Sequence, residues 1–184
     1  MKTGVRILAL ACAPLKGRLT LLVGIVAKDS IIEGVVSSRV RVNGADATKK
    51  IIGLVNKTRF KGQVRLVAVN GIGIAGLNVL DAEELRKRTK TELISVTRGK
   101  PHPEELITAL RSFSKRTGEK VDDRIALVKD DVKKLSEFKL HGFYLQTSLE
   151  KSDAGKFTEQ AFHFLRLAHL IASGVAAGES RGRL

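Results

Sequence analysis

The chain has 184 residues, 43% of them hydrophobic and 28% charged, a composition that fits one globular domain spanning 1–184 and excludes a disordered chain. A fold of this size buries roughly 70% of its unfolded surface, and the lone cysteine rules out an internal disulfide and any cysteine-based zinc site. The 33 Lys and Arg against 19 Asp and Glu give a net charge of +14, all but one unit of it within residues 1–120; a field of that sign attracts polyanions, while seven Phe, one Tyr and no Trp leave few platforms for stacking single-stranded bases.

Residues 6–12 and 19–27 are near-continuous apolar runs separated by Pro14, Lys16, Gly17 and Arg18, the pattern of a buried hairpin. The second run and the proline argue for a strand rather than a cleaved leader. No apolar run reaches the roughly 18 residues of a membrane helix. A soluble, cytoplasmic chain with no membrane partner is therefore expected, and a single thiol fits a reducing compartment.

After the turn at Lys28, Asp29 and Ser30, residues 31–42 form a third strand in which Arg39 and Arg41 alternate with Val40 and Val42. Three antiparallel strands thus open the domain. Asp46 is positioned as a helix N-cap, its carboxylate free to accept first-turn N–H groups. Ile51, Ile52 and Val55 then recur at helical spacing to about Thr58. Residues 63–69, apolar but for Gln63 and Arg65, are a strand reached through that helix, hence parallel to its predecessor.

A glycine-rich loop follows, Asn70 to Asn78, and Asp81 with Glu84 makes a capping-box pattern for a short helix to Arg88. Residues 92–97 are another strand. Pro103 suits a first helical position, with Leu106, Ile107, Leu110 and Phe113 striping that helix. Between 117 and 157, residues 125–128 and 140–145 read as short strands, with a helical turn or two around 132–138. A long helix closes the chain, with Phe157, Ala161, Phe164, Leu165, Ala168, Ile171, Ala172 and Val175 on one face and Gly178 as its stop. The order βββ-α-β-α-β-α with a closing helix predicts an α/β domain. Its sheet would be a ribonuclease-H-like mixed one, three antiparallel strands then parallel strands, with helices on both faces.

Gly71, Gly73 and Gly76 match the spacing of a dinucleotide loop. The strand before them is not the first, however, and the helix starts some five residues later, so tight backbone turns are the better reading. Cys12 on a buried strand is a packing residue, since an apolar setting makes a thiol inert. Of the histidines, His141 and His163 read as structural. His169 is the candidate for a site, having Arg166, Ser173 and the segment Glu179-Ser180-Arg181 near it in sequence.

Several stretches resemble the archaeal endonuclease-V-related family, the deoxyuridine endonucleases. They are Ile7 through Leu15, Leu22-Val23-Gly24-Ile25-Val26, Ile32-Glu33-Gly34-Val35 and Val42 through Thr48. The most telling are Asn70-Gly71-Ile72 with Gly76 through Asp81, and Leu165 through Gly174 with Gly178 through Gly182. The resemblance implies a ribonuclease-H-like fold and action on DNA or RNA carrying deaminated bases, with Mg²⁺ at paired carboxylates. The chain departs from that pattern where it matters. Ala11 and Cys12 stand where the family has two adjacent aspartates, and Asn70-Gly71 where it has Asp-Gly. Asp46 falls where the endonuclease V relatives place a further acid.

Three readings follow. The first is a nucleic-acid-binding member with weak or no metal-dependent cleavage, using Asp46 and His169 in what remains of the site and Arg39, Arg41, Arg166 and Arg181 on phosphates. The second is an active Mg²⁺ endonuclease with its ion on Asp46, Asp81 or Glu179. The third is a non-catalytic interaction module that docks a partner or its own copy through Phe162 and Leu170.

Overall fold

The computed structural model describes residues 4–180. Three strands, β1 (Arg6–Cys12), β2 (Leu19–Lys28) and β3 (Ile31–Arg41), lead into helix α1 (Ala47–Lys57). Strand β4 (Val64–Val69) enters a miniature hairpin of β5 (Gly73–Ile74) and β6 (Asn78–Val79). Then come α2 (Ala82–Thr89), β7 (Glu92–Thr97), α3 (Pro103–Thr117), α4 (Asp122–Lys134), the hairpin β8 (Ser136–Leu140) and β9 (Phe143–Thr147), and α5 (Lys151–Ala177).

The main sheet runs β3-β2-β1-β4-β7-β9-β8. β1 pairs antiparallel with β2 and parallel with β4, and β4 pairs parallel with β7. Its central position explains why β1 reads as an unbroken apolar run, because both faces are covered. One face, with Ile7, Ala9, Val23, Ile25 and Ala68, packs on α5 through Phe157, Ala161, Phe164, Leu165 and Ala168. The other, with Leu8, Leu10, Leu22 and Val67, packs on Ile51 and Val55 of α1 and Leu85 of α2. A smaller core joins α3 and α4 through Ile107, Leu110, Phe113 and Val128. Gly24 is required where β2 crosses this sheet, since a Cβ there would lie 2.7 Å from Leu8 and 2.8 Å from Leu10 side-chain atoms. No described helix is long and apolar enough to cross a membrane.

The expected strand at 125–128 is instead the middle of α4, and 132–138 is the end of α4 and the start of β8. Residues 140–145 straddle the turn of the β8–β9 hairpin, where His141 and Gly142 both have positive φ. The reason is periodicity: Val121, Arg124, Val128 and Asp131 bury one helical stripe, and two of its four members are charged, so hydropathy hides it. Val175, assigned to the apolar face of the last helix, is 71% exposed because α5 overhangs the sheet there.

Asp131 is the polar group this packing leaves least satisfied. It is 3% exposed, accepts from the Ala82 backbone N–H at the start of α2, and keeps one carboxylate oxygen, Oδ2, without a partner. Burial, opposed by the Ala82 N–H and Lys134 and aided by the Asp81 and Asp130 carboxylates, pushes its carboxyl up to about 7. An acid raised in the fold above its unfolded value takes up a proton on folding, so stability falls as pH rises from about 4 to about 7. Melting curves between pH 5 and pH 8 should show that fall. Asp131→Asn should remove most of it and raise the melting temperature at pH 8 by roughly 5 °C, about 2 kcal/mol; a pH-independent melting temperature for the parent chain would contradict the assignment.

Candidate functional site

From β1 the chain steps one way across the sheet, to β2 and β3, and from β4 the other way, to β7. The carboxyl ends of β1 and β4 therefore flank a crevice, the place where open α/β sheets bind ligands. Their register pairs Leu10 with Val69, so the next step sets Ala11 beside Asn70. Ala11 packs on the α5 side with Ala9 and Ala68, and Cys12 turns into the opposite core. Alternation thus places Ala11 and Asn70 on one face and Cys12 on the other.

A depression of about 290 Å³ opens here, lined by Ala11, Cys12, Leu15, Asn70, Ala75 and His169 among others. A second, of about 510 Å³, shares Asn70, Gly73 and Gly76 with it and adds Arg98, Lys100 and His102 from the loop after β7. Arg98 and Lys100 escaped the sequence reading. The signal for them was the run Arg98-Gly99-Lys100-Pro101, which directly follows a parallel strand.

The glycine loop is pinned by polar contacts rather than by a helix N-terminus. Asn43, at φ 55°, donates its N–H to the Ala75 carbonyl and accepts the Leu77 N–H on Oδ1 at 3.0 Å. Gly76 has φ 88°, and a Cβ on it would sit 2.3 Å from that same Oδ1, so no other residue fits. Asn78, fully buried, accepts the Ala47 N–H and donates to the Arg41 carbonyl and to Asp46 Oδ1. Arg124, 4% exposed, reaches in from α4 and donates to the carbonyls of Asn43, Gly44 and Leu77 at 2.5, 3.1 and 3.3 Å. The sequence reading gives neither Asn78 nor Arg124 a role of its own, because their partners lie 31 to 81 positions away in the chain.

This arrangement corrects the reading of Asp46. It occupies the N-cap position of α1 but makes no side-chain cap bond. Its carboxylate accepts the Arg41 N–H at 3.1 Å and the Asn78 amide at 2.8 Å, while Asn78 serves the first helical N–H instead. Asp81 caps α2 as expected, accepting the Glu84 N–H at 2.8 Å.

His169 does reach the crevice. Its Nδ1 lies 3.1 Å from the Cys12 carbonyl; a carbonyl only accepts, so Nδ1 carries the proton, and in the neutral ring Nε2 takes the Ser173 hydroxyl at 3.3 Å. Arg166 is exposed one turn earlier on α5. Arg39 and Arg41 are exposed on β3, at the same end of the sheet but outside the depression; Arg39 lines a neighbouring hollow with Pro14, Lys16 and Leu19. Arg181 lies outside the described residues. Phe162 is not a free contact point: it stacks on Phe143 at 4.4 Å between ring centres, with the Arg98 guanidinium 5.2 Å from its own. Leu170 is half-buried.

The donor set at the strand ends does not suit Mg²⁺, which wants hard, mostly anionic oxygens. Ala11 offers no donor atom. Burial pushes the Cys12 thiol up to about 11, against a smaller pull from the Ala75 N–H, so it is a neutral, soft sulfur facing away. Asn70 offers one neutral amide oxygen. Among the described residues no three His, Cys, Asp or Glu converge as a metal site.

Strand order β3-β2-β1-β4-β7 with antiparallel then parallel pairing, helices on both faces, and a crevice at the carboxyl ends of β1 and β4 define a ribonuclease-H-like protein. Within that class the chain belongs to the endonuclease dU family, which matches residues 3–176. It is 36% identical over 175 residues to a UPF0215 protein of Thermococcus kodakarensis, with 91% of this chain and 87% of the relative covered. It is 35% identical over 205 residues to one of Methanothermobacter thermautotrophicus, with 99% and 93% covered. The crystal structure of a protein of unknown function from Archaeoglobus fulgidus superimposes with a TM-score of 0.81 at 27% identity, over 93% of this chain and 98% of that one.

Arg124→Met keeps most of the side-chain volume and removes the three donated bonds. Charge-assisted bonds of this kind contribute about 1.5–3 kcal/mol each when their loss strands buried partners. All three come from one nitrogen, Nη1, which has two hydrogens, so the substitution should cost about 3–6 kcal/mol in denaturant unfolding and speed amide exchange at Asn43 and Leu77 more than in β1. Unchanged exchange at those two amides would show that the loops are held by something else.

Proposed function

We propose that this protein binds nucleic acid at the carboxyl end of its sheet and has weak or no metal-dependent cleavage, DNA or RNA being the partner class. The observation that carries the reading is the contrast between the crevice and its rim. The crevice presents Ala11, Asn70 and His169, with the Cys12 thiol turned to the other face, and no carboxylate lines it. The rim carries Lys16, Arg18, Arg39 and Arg41 from one side and Arg98 and Lys100 from the other. A backbone phosphate is attracted to such a rim, and a divalent cation is not held within it.

Binding should therefore fall with salt. Five phosphate contacts give a slope of about −4.5 in log affinity against log salt for duplex DNA, measurable by fluorescence anisotropy between 50 and 300 mM NaCl. Salt-independent binding, or none at low salt, would turn the assignment toward a protein-interaction module.

The metal half of the reading is tested by restoration. Ala11 and Asn70 share a face and Cys12 does not, so Ala11→Asp with Asn70→Asp should create a Mg²⁺ or Mn²⁺ site visible by calorimetry and as a metal-dependent rise in melting temperature. Without metal the same variant should melt below the parent chain, because close carboxylates repel. Cys12→Asp with Asn70→Asp should gain no metal binding. Parent chain binding Mn²⁺ as tightly as the first variant, or cleaving inosine- or uracil-containing duplex with it, would establish the active endonuclease instead.

A further inference from the structure

Strand β3 is one edge of the main sheet, and its free side is closed at both ends. Glu33 is the unmatched residue of a bulge, since Val26 pairs with Gly34 and Ala27 with Ile32, and its carbonyl is taken by Arg59 at 2.7 Å. At the other end the Arg41 N–H goes to Asp46 and its carbonyl accepts from Asn78. Backbone groups alternate in direction along an antiparallel strand. The N–H and C=O of Val35, Ser37 and Arg39 therefore point outward like those of Arg41, and no turn, loop or side chain among the described residues takes them. Native sheets leave such an edge open only at a cost in unwanted association; here its two ends are capped and three residues between them are not.

Beside this open stretch lies a groove of about 700 Å³ between β3 and α1. Val36, Ile52 and Leu54 floor it and Lys49, Lys50 and Lys57 rim it, and no carboxylate lines it. None of the three lysines forms an ion pair within the described residues. An edge strand beside a helix with an apolar floor is the geometry that receives an added peptide strand, main-chain bonds giving affinity and alternate side chains entering the groove.

We propose that β3 accepts an extended acidic segment of a partner protein as an added strand, its alternate side chains lying in the groove against α1. The charge selects this occupant. Two copies pairing edge to edge would bring Arg39 and the three lysines of each against those of the other, in chains that each carry +14. A nucleic acid duplex answers the lysines but presents no N–H row to the outward carbonyls and no apolar side chain for Val36 and Ile52. A segment whose groove-facing residues are aliphatic over Val36 and Ile52 and acidic at the lysine rim answers all three features.

The probe is a fluorescein-labelled seven-residue peptide, Glu-Thr-Val-Thr-Val-Thr-Glu, whose odd-numbered residues share one face, with two further versions N-methylated at alternate residues in either phase. Anisotropy with the full chain should show binding of the parent peptide and of one methylated phase, the other being at least tenfold weaker; equal binding of both methylated versions, or no binding of the parent peptide at 50 mM salt, overturns the proposal. Ser37→Pro removes an outward N–H from an edge strand, where proline is tolerated, and should weaken the peptide tenfold or more. Gly53→Glu points into open space on α1 and should do the same while raising helix propensity; Gly53→Lys should bind as well as the parent chain. Melting temperatures of all three variants verify that the fold is kept. A DNA duplex that loses as much affinity to Gly53→Glu as the peptide does overturns the proposal in favour of a phosphate track. A parent chain that sediments as a dimer and becomes monomeric with Ser37→Pro overturns it in favour of a second copy.

Discussion

The carbonyls of Asn43, Gly44 and Leu77 belong to two loops that no sheet ladder can satisfy, and one buried guanidinium takes all three. That single group, Arg124, ties α4 to the end of β3 and to the glycine loop after β4, and it is steadied by Glu119 at 3.5 Å and by the Phe113 ring. A buried cation of this kind is tolerated because it is hydrogen-bonded and faces a carboxylate. Its consequence is positional. With the two loops fixed, Ala75 is held at φ 50° close above Cys12, and Asn70 is held at the crevice wall between the two depressions. The strand ends define the crevice; the guanidinium gives it a fixed roof.

Field and donor set make opposite demands on a ligand. Under the proposed function the positive rim attracts a phosphodiester, while the neutral interior offers no anionic ligand to a divalent ion. What remains inside are hydrogen-bonding groups: the Asn70 amide, the His169 ring oriented by Cys12 and Ser173, and the turned backbone of the glycine loop, where Ser95 already takes the Gly71 N–H. Groups of that kind position and select a bound strand.

The order of elements was legible wherever one physical signal dominated. Continuous apolar runs marked β1, β2 and β4, Pro103 and Gly178 marked the start of α3 and the end of α5, and the Asp81–Glu84 pair marked α2. The strand order placed Asn70 beside Ala11 or Cys12, and the register of β1 on β4 selects Ala11. The region from 117 to 157 was misread because α4 buries Arg124 and Asp131 on the same stripe as Val121 and Val128, so hydropathy and helical period disagree there. Asp46 was misjudged for a related reason: local sequence offers its carboxylate to the helix behind it, and a residue 32 positions away, Asn78, claims it instead. Such long-range polar contacts leave no mark in a window of sequence, and they are what the crevice is built from.

The two faces of the sheet close at different times. Ile51 and Val55 of α1 are made soon after β1, β2 and β3, and they cover one side as the chain lengthens. The other side, with Ile7, Ala9, Val23 and Ile25, waits for Ala161, Phe164, Leu165 and Ala168, which are made only after every strand of the sheet. Throughout synthesis, then, the central strands expose an aliphatic surface that only α5 can shield, and a chain stopped before residue 151 carries it permanently. The same lateness couples the crevice to completion of the fold, because His169 meets the Cys12 carbonyl only when α5 seats. An unfinished chain has the strand ends without the ring that orders them.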